Sequence, residues 1–177
     1  MLVAAVTVVG VLCLLNLLLL FGVIRRLREH TEMLGRFTGS PPALVGLDPG
    51  EPAAAFAATA TGGEPVTGPA GLRAVGFFSS SCSICPERVG PFLDYLGSHQ
   101  IPREQALCVV TGLAASPPPY AQRLAEGSMV CVEAEDGEIE RAFKIQGFPV
   151  FCLLDGSGRV LASSYDPAKL PLPATAQ

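Results

Sequence analysis

The chain has 177 residues, and its hydrophobic fraction of 49% is enough to build the core of one ordinary domain with appendages. A formal charge of −4 leaves no basic surface suited to nucleic acid, so that class of partner is set aside. The 19 glycines and 16 prolines gather between blocks that read as strands or helices, which points to turns rather than to a disordered chain.

Met1 to Ile24 carries no charged side chain, and only Thr7 and Asn16 interrupt it as polar residues. At about 1.5 Å per residue it is long enough to cross a hydrocarbon layer of roughly 30 Å, so it is expected to be a membrane-spanning helix. The run is too long for a signal peptide, no Lys or Arg precedes it, and no small-x-small cleavage site follows. Cys13, preceded by Gly10-Val11-Leu12, lacks the small residues of a lipoprotein site and reads as filler within the span. Arg25, Arg26 and Arg28 follow directly, and by the positive-inside rule they direct the rest of the chain to the cytoplasm. Leu27, Leu34 and Phe37 extend an amphipathic stalk, which Gly39-Ser40-Pro41-Pro42 ends. The chain thus divides into an anchor (1–24), a stalk and linker (25–50), a domain (51–170) and a loose tail (171–177).

In the domain, Ala53 to Thr61 and Pro65 to Thr67 suggest a small hairpin around Gly62-Gly63, and Leu72 to Phe78 a buried strand. Cys82 and Cys85 then stand where that strand stops and a helix begins, the helix running to about Leu96 with Val89, Phe92, Leu93 and Leu96 as its apolar stripe and Pro91 as a kink. Ala106 to Thr111 and Met129 to Glu133 read as strands, with helices over Tyr120 to Glu126 and Glu138 to Ile145, the latter ended by Gly147. Val150 to Leu154 and Arg159 to Ser163 flank Asp155-Gly156-Ser157-Gly158, the clearest hairpin signal in the chain. Strands alternating with helices and closing on a hairpin argue for an α/β fold, a mixed sheet with helices on its faces.

Of the six cysteines, only Cys82 and Cys85 have redox or metal-like spacing; Cys108, Cys131 and Cys152 lie inside short apolar runs and read as core. A helix N-terminus stabilises an anion, so a thiol placed there ionises more readily. A drop in pKa from about 8.5 to about 7 raises the thiolate fraction at neutral pH from roughly 3% to about half. Zinc also uses C-x-x-C but needs four ligands, and the chain has no second such pair; His30 and His99 read as surface residues. Gly147-Phe148-Pro149 stands just before a strand, where a proline's missing N–H is tolerated.

With a C-x-x-C at a strand–helix junction and a proline-led strand downstream, the sequence resembles the thioredoxin-like superfamily. Within it the chain is most similar to the membrane-anchored TlpA/ResA-like thiol–disulfide oxidoreductases, and particularly to MauD-like (methylamine utilisation) proteins. The residues that carry this are the span with its arginine-rich stalk, the entry Val45-Gly46-Leu47-Asp48-Pro49-Gly50-Glu51-Pro52 with Phe56, and Phe77 to Cys85. The resemblance implies that Pro149 is cis and lies against the dithiol, leaving with Phe148 a groove for an extended substrate strand. It also implies that Cys82 attacks a partner disulfide and Cys85 resolves the mixed disulfide, with no cofactor beyond the cysteine pair. The partners implied are a protein disulfide or dithiol, a membrane or thioredoxin-type electron donor, and the lipid bilayer. An extracytoplasmic domain is implied too, in opposition to the arginines.

The sequence departs from the family pattern in several places. Ser81 stands where many thioredoxins have tryptophan, and Gly76 and Arg88 occupy positions where relatives often place an acid. That leaves Glu87 as the nearest acid to Cys85, and lets Arg88 lower a thiol pKa by its charge. Pro86 follows Cys85 directly, as in copper-delivering relatives, but without their longer cysteine spacing or distant histidine. With Ser83-Ile84 between the cysteines, a potential nearer the reducing end is expected. The rival reading is a redox-inert or Cu(I)-carrying assembly module. A peroxide-reducing enzyme is a weaker third, since Ser79 stands where that branch usually has threonine.

Overall fold

Three strands in which every residue is buried set the frame: β3 (Ala74–Ser79), β4 (Ala106–Thr111) and β6 (Val150–Leu154). A strand covered on both faces must be apolar throughout, and these are the uninterrupted apolar runs of the sequence. They form the middle of a five-stranded sheet of order β5-β4-β3-β6-β7, with β5 (Met129–Glu133) and β7 (Val160–Ser164) at its edges. β3, β4 and β5 run parallel; β6 runs antiparallel to β3, and β7 antiparallel to β6. A separate hairpin, β1 (Phe56–Thr59) and β2 (Pro65–Gly68), precedes them. The computed structural model describes residues 46–112 and 118–171, together with Gly10. Apart from that glycine, the expected membrane span lies outside the described residues, as does most of the stalk and linker with His30. Among the described residues no helix is long and apolar enough to cross a membrane.

Because side chains alternate along a strand, the sheet sorts its residues into two cores. On one face Ala74, Phe78, Cys108, Val110, Phe151 and Leu153 meet α1 (Cys85–Ser98) and α2 (Tyr120–Leu124). On the other face Val75, Phe77, Leu107, Val109 and Cys152 meet the hairpin and α3 (Glu138–Ala142). In α1 the buried residues Cys85, Val89, Phe92 and Leu96 recur at helical spacing, so one stripe lies on the sheet. The helix runs on through Pro91, which is exposed.

Two expectations need correction. The folded unit begins before residue 51: Leu47 is buried in the core and its N–H donates to the Phe143 carbonyl, while the Gly50 N–H donates to Val160. The helix expected over Glu138 to Ile145 stops at Ala142, well short of Gly147. Phe143 turns inward, its ring 5.2 Å from Phe77 and 6.2 Å from Phe56, and Lys144 then takes a left-handed φ of 53°. Burying that ring outweighs the helix propensity of the residues that follow.

Candidate active site

β3 ends at Ser79, and the chain needs only a short turn before α1 opens at Cys85. Backbone bonds fasten this turn. The Ser80 N–H donates to the Thr111 carbonyl at 2.9 Å, the Cys82 N–H to the Ser79 carbonyl at 3.1 Å, and the Cys85 N–H to the Cys82 carbonyl at 3.4 Å. Hydroxyls add to them. The Ser79 and Ser81 Oγ atoms are 3.0 Å apart, the Thr111 hydroxyl donates to the Phe78 carbonyl at 2.9 Å, and the Tyr120 hydroxyl donates to the Ser79 carbonyl at 2.9 Å. Gly112, at φ +134°, lies so close to Ser80 that any side chain there would collide with it.

Cys82 and Cys85 are joined in a disulfide with their Cα atoms 5.4 Å apart. Their exposures differ: Cys82 is half-buried and Cys85 fully buried. A partner sulfur can therefore approach Cys82 but not Cys85. Ile84, between them, is 43% exposed. At the start of α1 the Cys85 and Glu87 N–H groups donate to the Cys82 and Ile84 carbonyls and Pro86 has no N–H, and the helix dipole favours negative charge at this end.

The second half of the site arrives from the far side of the sheet. The Phe148–Pro149 peptide is cis. β6 pairs with β3 so that Val150 faces Phe77, and continuing that register puts Pro149 across from Phe78, at the end of β3 that carries the dithiol turn. Phe148 is half-buried and packs against both cores, one of which includes Cys85 with Cys82 against it. A second cis peptide, Gly68–Pro69, precedes the opposite end of the sheet, where the Gly71 N–H meets the Gly156 carbonyl; nothing in the sequence announced it.

The missing acids have a structural counterpart. A Cβ on Gly76 would stand 2.9 Å from the Phe92 ring and 3.1 Å from the Phe78 ring, so a side chain here would force these two buried rings to shift. Phe78, Phe92 and Phe151 form an aromatic layer beneath the dithiol helix, with centroids 4.8 to 6.4 Å apart. Arg88 does not act as a free charge beside the thiols; its guanidinium is 3.1 Å from the Asp166 carboxylate. Glu87 is exposed in the first turn of α1. His99 is tied back, stacked on Tyr95 at 4.2 Å and bonded to the Tyr95 carbonyl.

Cys108, Cys131 and Cys152 are free thiols buried in the strands, as the sequence suggested. Burial pushes Cys108 up to about 12, against a hydrogen bond with Ser128 that pulls it down. It likewise pushes Cys131 and Cys152 up to about 11. Among the described residues no group of three or more His, Cys, Asp or Glu side chains could hold a metal ion. A cleft of about 320 Å³ lined by Leu93, Leu96, Gly97, Ile101 and Arg103 lies toward the other end of α1, away from the dithiol. Tyr120 and Thr111 escaped the sequence reading because their role depends on carbonyls 41 and 33 residues away. The one local sign was the proline run that delivers Tyr120 to the start of α2.

The fold has counterparts among solved structures. The thioredoxin domain of a thiol–disulfide oxidoreductase from Bacteroides vulgatus is 19% identical with a TM-score of 0.54, over 66% of this chain and 88% of that one. A thioredoxin family thiol:disulfide interchange protein from Chlorobium tepidum TLS is 18% identical with a TM-score of 0.53, over 68% and 89% of the two chains. A thiol:disulfide interchange protein from Bacteroides sp. is 18% identical with a TM-score of 0.53, over 69% and 86%. No protein-family model and no curated protein matches the sequence. The described domain therefore has a thioredoxin-like fold, and a C-x-x-C pair stands at its strand–helix junction.

Proposed function

We propose that the protein is a membrane-anchored thiol–disulfide oxidoreductase that acts on protein disulfides. One observation carries the reading: a half-exposed Cys82 is bonded to a fully buried Cys85 at a helix N-terminus, at the sheet end where the Phe148–Pro149 peptide opens β6. In the reduced protein the Cys82 thiolate attacks one sulfur of a partner disulfide. A bond forms between Cys82 and the partner, the partner's own S–S bond breaks, and its second sulfur leaves as a thiolate that takes up a proton. Cys85 then gives up its proton and attacks the Cys82 sulfur, releasing the partner as a dithiol and restoring the Cys82–Cys85 disulfide. Two electrons pass to the partner, and an external dithiol donor must return them.

The test is reduction of insulin disulfides by the wild-type protein with a dithiol donor. Cys82→Ser is expected to lower turnover about a thousandfold or more, and Cys85→Ala to accumulate a mixed disulfide with the partner. Turnover that survives Cys82→Ser sinks the assignment; stoichiometric Cu(I) binding without any exchange favours the carrier reading instead. In the proposed topology Met1 to Ile24 anchors the chain and Arg25, Arg26 and Arg28 hold the domain in the cytoplasm. Labelling of Cys82 in intact, mildly reduced cells by a membrane-impermeant maleimide would reverse that orientation.

A further inference from the structure

We propose that Tyr120 is a positioning residue for the nucleophile: its hydroxyl, bonded to the Ser79 carbonyl that also receives the Cys82 N–H, holds the turn in which Cys82 reacts. This rests on the oxidoreductase reading and adds a residue to it. The Ser79 carbonyl has two lone pairs, and two donors occupy them, Tyr120 Oη at 2.9 Å and the Cys82 nitrogen at 3.1 Å. The hydroxyl therefore lies no further from the Cys82 backbone than the sum of those two bonds. Ser79 is buried, so water offers little substitute for either donor.

Besides the Cys82–Cys85 disulfide, the hydrogen bonds that fasten residues 79–82 among the described residues come from hydroxyls and backbone N–H groups. The Tyr120 ring is itself anchored, with its centroid 6.0 Å from that of Phe78. Burial pushes the phenol up to about 12, so the O–H stays a donor through neutral pH. The charged groups around this end are Glu87 and Arg88 on α1, Arg123 on α2 with its guanidinium against Gly90 of α1, Asp166, and Glu133 at the end of β5. Asp166 pairs with Arg88, and the Glu133 carboxylate accepts the Ile139 and Glu140 N–H groups. A substitution at Tyr120 leaves all of them in place. Ionising Cys82 puts negative charge near the negative end of the Ser79 carbonyl dipole, and donation from Tyr120 offsets that repulsion. Without the hydroxyl, the thiolate is harder to form and the turn is looser.

The experiment compares full-length wild type, Tyr120→Phe and Thr111→Val in the reduced state, following iodoacetamide alkylation of Cys82 against pH by mass spectrometry. Tyr120→Phe keeps the ring on Phe78 and removes only the donor. It is expected to move the alkylation midpoint to higher pH and to slow reaction at pH 7 about threefold to tenfold, with the high-pH plateau unchanged. Thr111→Val removes a neighbouring hydroxyl bonded to Phe78 rather than to Ser79, and is expected to lower the melting temperature without moving the midpoint. A wild-type midpoint in Tyr120→Phe, whatever its melting temperature, overturns the proposal. So does an equal shift in Thr111→Val, which would make the effect general loosening. Failure of the oxidoreductase reading shows separately, as wild-type protein that leaves insulin disulfides intact, because the midpoint is measured without turnover.

Discussion

The cysteines of the described domain occupy two settings that give one side chain opposite chemistry. Cys108, Cys131 and Cys152 lie within strands, where the sheet ladder uses the backbone N–H groups and neighbouring side chains exclude water, so burial holds them as neutral thiols. Cys82 lies a few residues beyond the end of β3, where the ladder has stopped and the positive end of the α1 dipole begins. Reactivity here follows from where the backbone leaves regular structure, more than from the apolar character of the neighbours, which both settings share.

The comparison can be broken at its base. Phe92 is fully buried between the dithiol helix and the sheet, touching Phe78 and Phe151. Phe92→Ala is expected to cost about 3–5 kcal/mol in chemical denaturation and to expose buried thiols to alkylation along with Cys82. A loss under about 1 kcal/mol would mean that the aromatic layer does not hold α1 on the sheet.

A second measurement sharpens the contrast. In the reduced native protein below pH 9, iodoacetamide is expected to modify Cys82 about a hundredfold faster than Cys108, Cys131 or Cys152. The sign for stability follows. Folded-state pKa values near 12, 11 and 11 lie above the unfolded value of about 8.5, so the fold binds the protons more tightly. That contribution is complete below about pH 8.5 and is lost progressively as pH climbs from there to the folded values of 11 to 12. Stability that stays flat across that interval would contradict the buried-thiol setting.

The smallest effect concerns the charges near the site. Arg88 and Asp166 are each about 30% exposed, and such pairs contribute roughly 0.2–1 kcal/mol. Asp166→Asn is expected to lower stability by no more than that, although it also weakens the acceptor for the Ala168 N–H. A shift of the denaturation midpoint corresponding to more than about 2 kcal/mol would show that the pair ties the end of β7 to α1.

Elements whose signal is local were legible in the sequence. β4, β5 and β6 have the expected limits, and β3 lies within two residues of them, because a strand buried on both faces needs an unbroken apolar run. The dithiol helix announced itself by the spacing of Val89, Phe92 and Leu96. The end of α3 did not, since Phe143 answers to Phe77 and Phe56, far away in the chain. Likewise Arg88 read as a free charge until Asp166, beyond β7, was found beside it.

The sequence by itself determined the strands, the helices and the placement of Cys82 and Cys85 where one becomes the other, because periodicity and burial are written in neighbouring residues. Only the tertiary structure decided which groups meet there. The order β5-β4-β3-β6-β7 brings Pro149 beside Phe78 and closes Phe92 over Gly76, and the connection after β4 sets Tyr120 on the Ser79 carbonyl. Strand order depends on the summed packing of both faces of the sheet, which no local window of sequence contains.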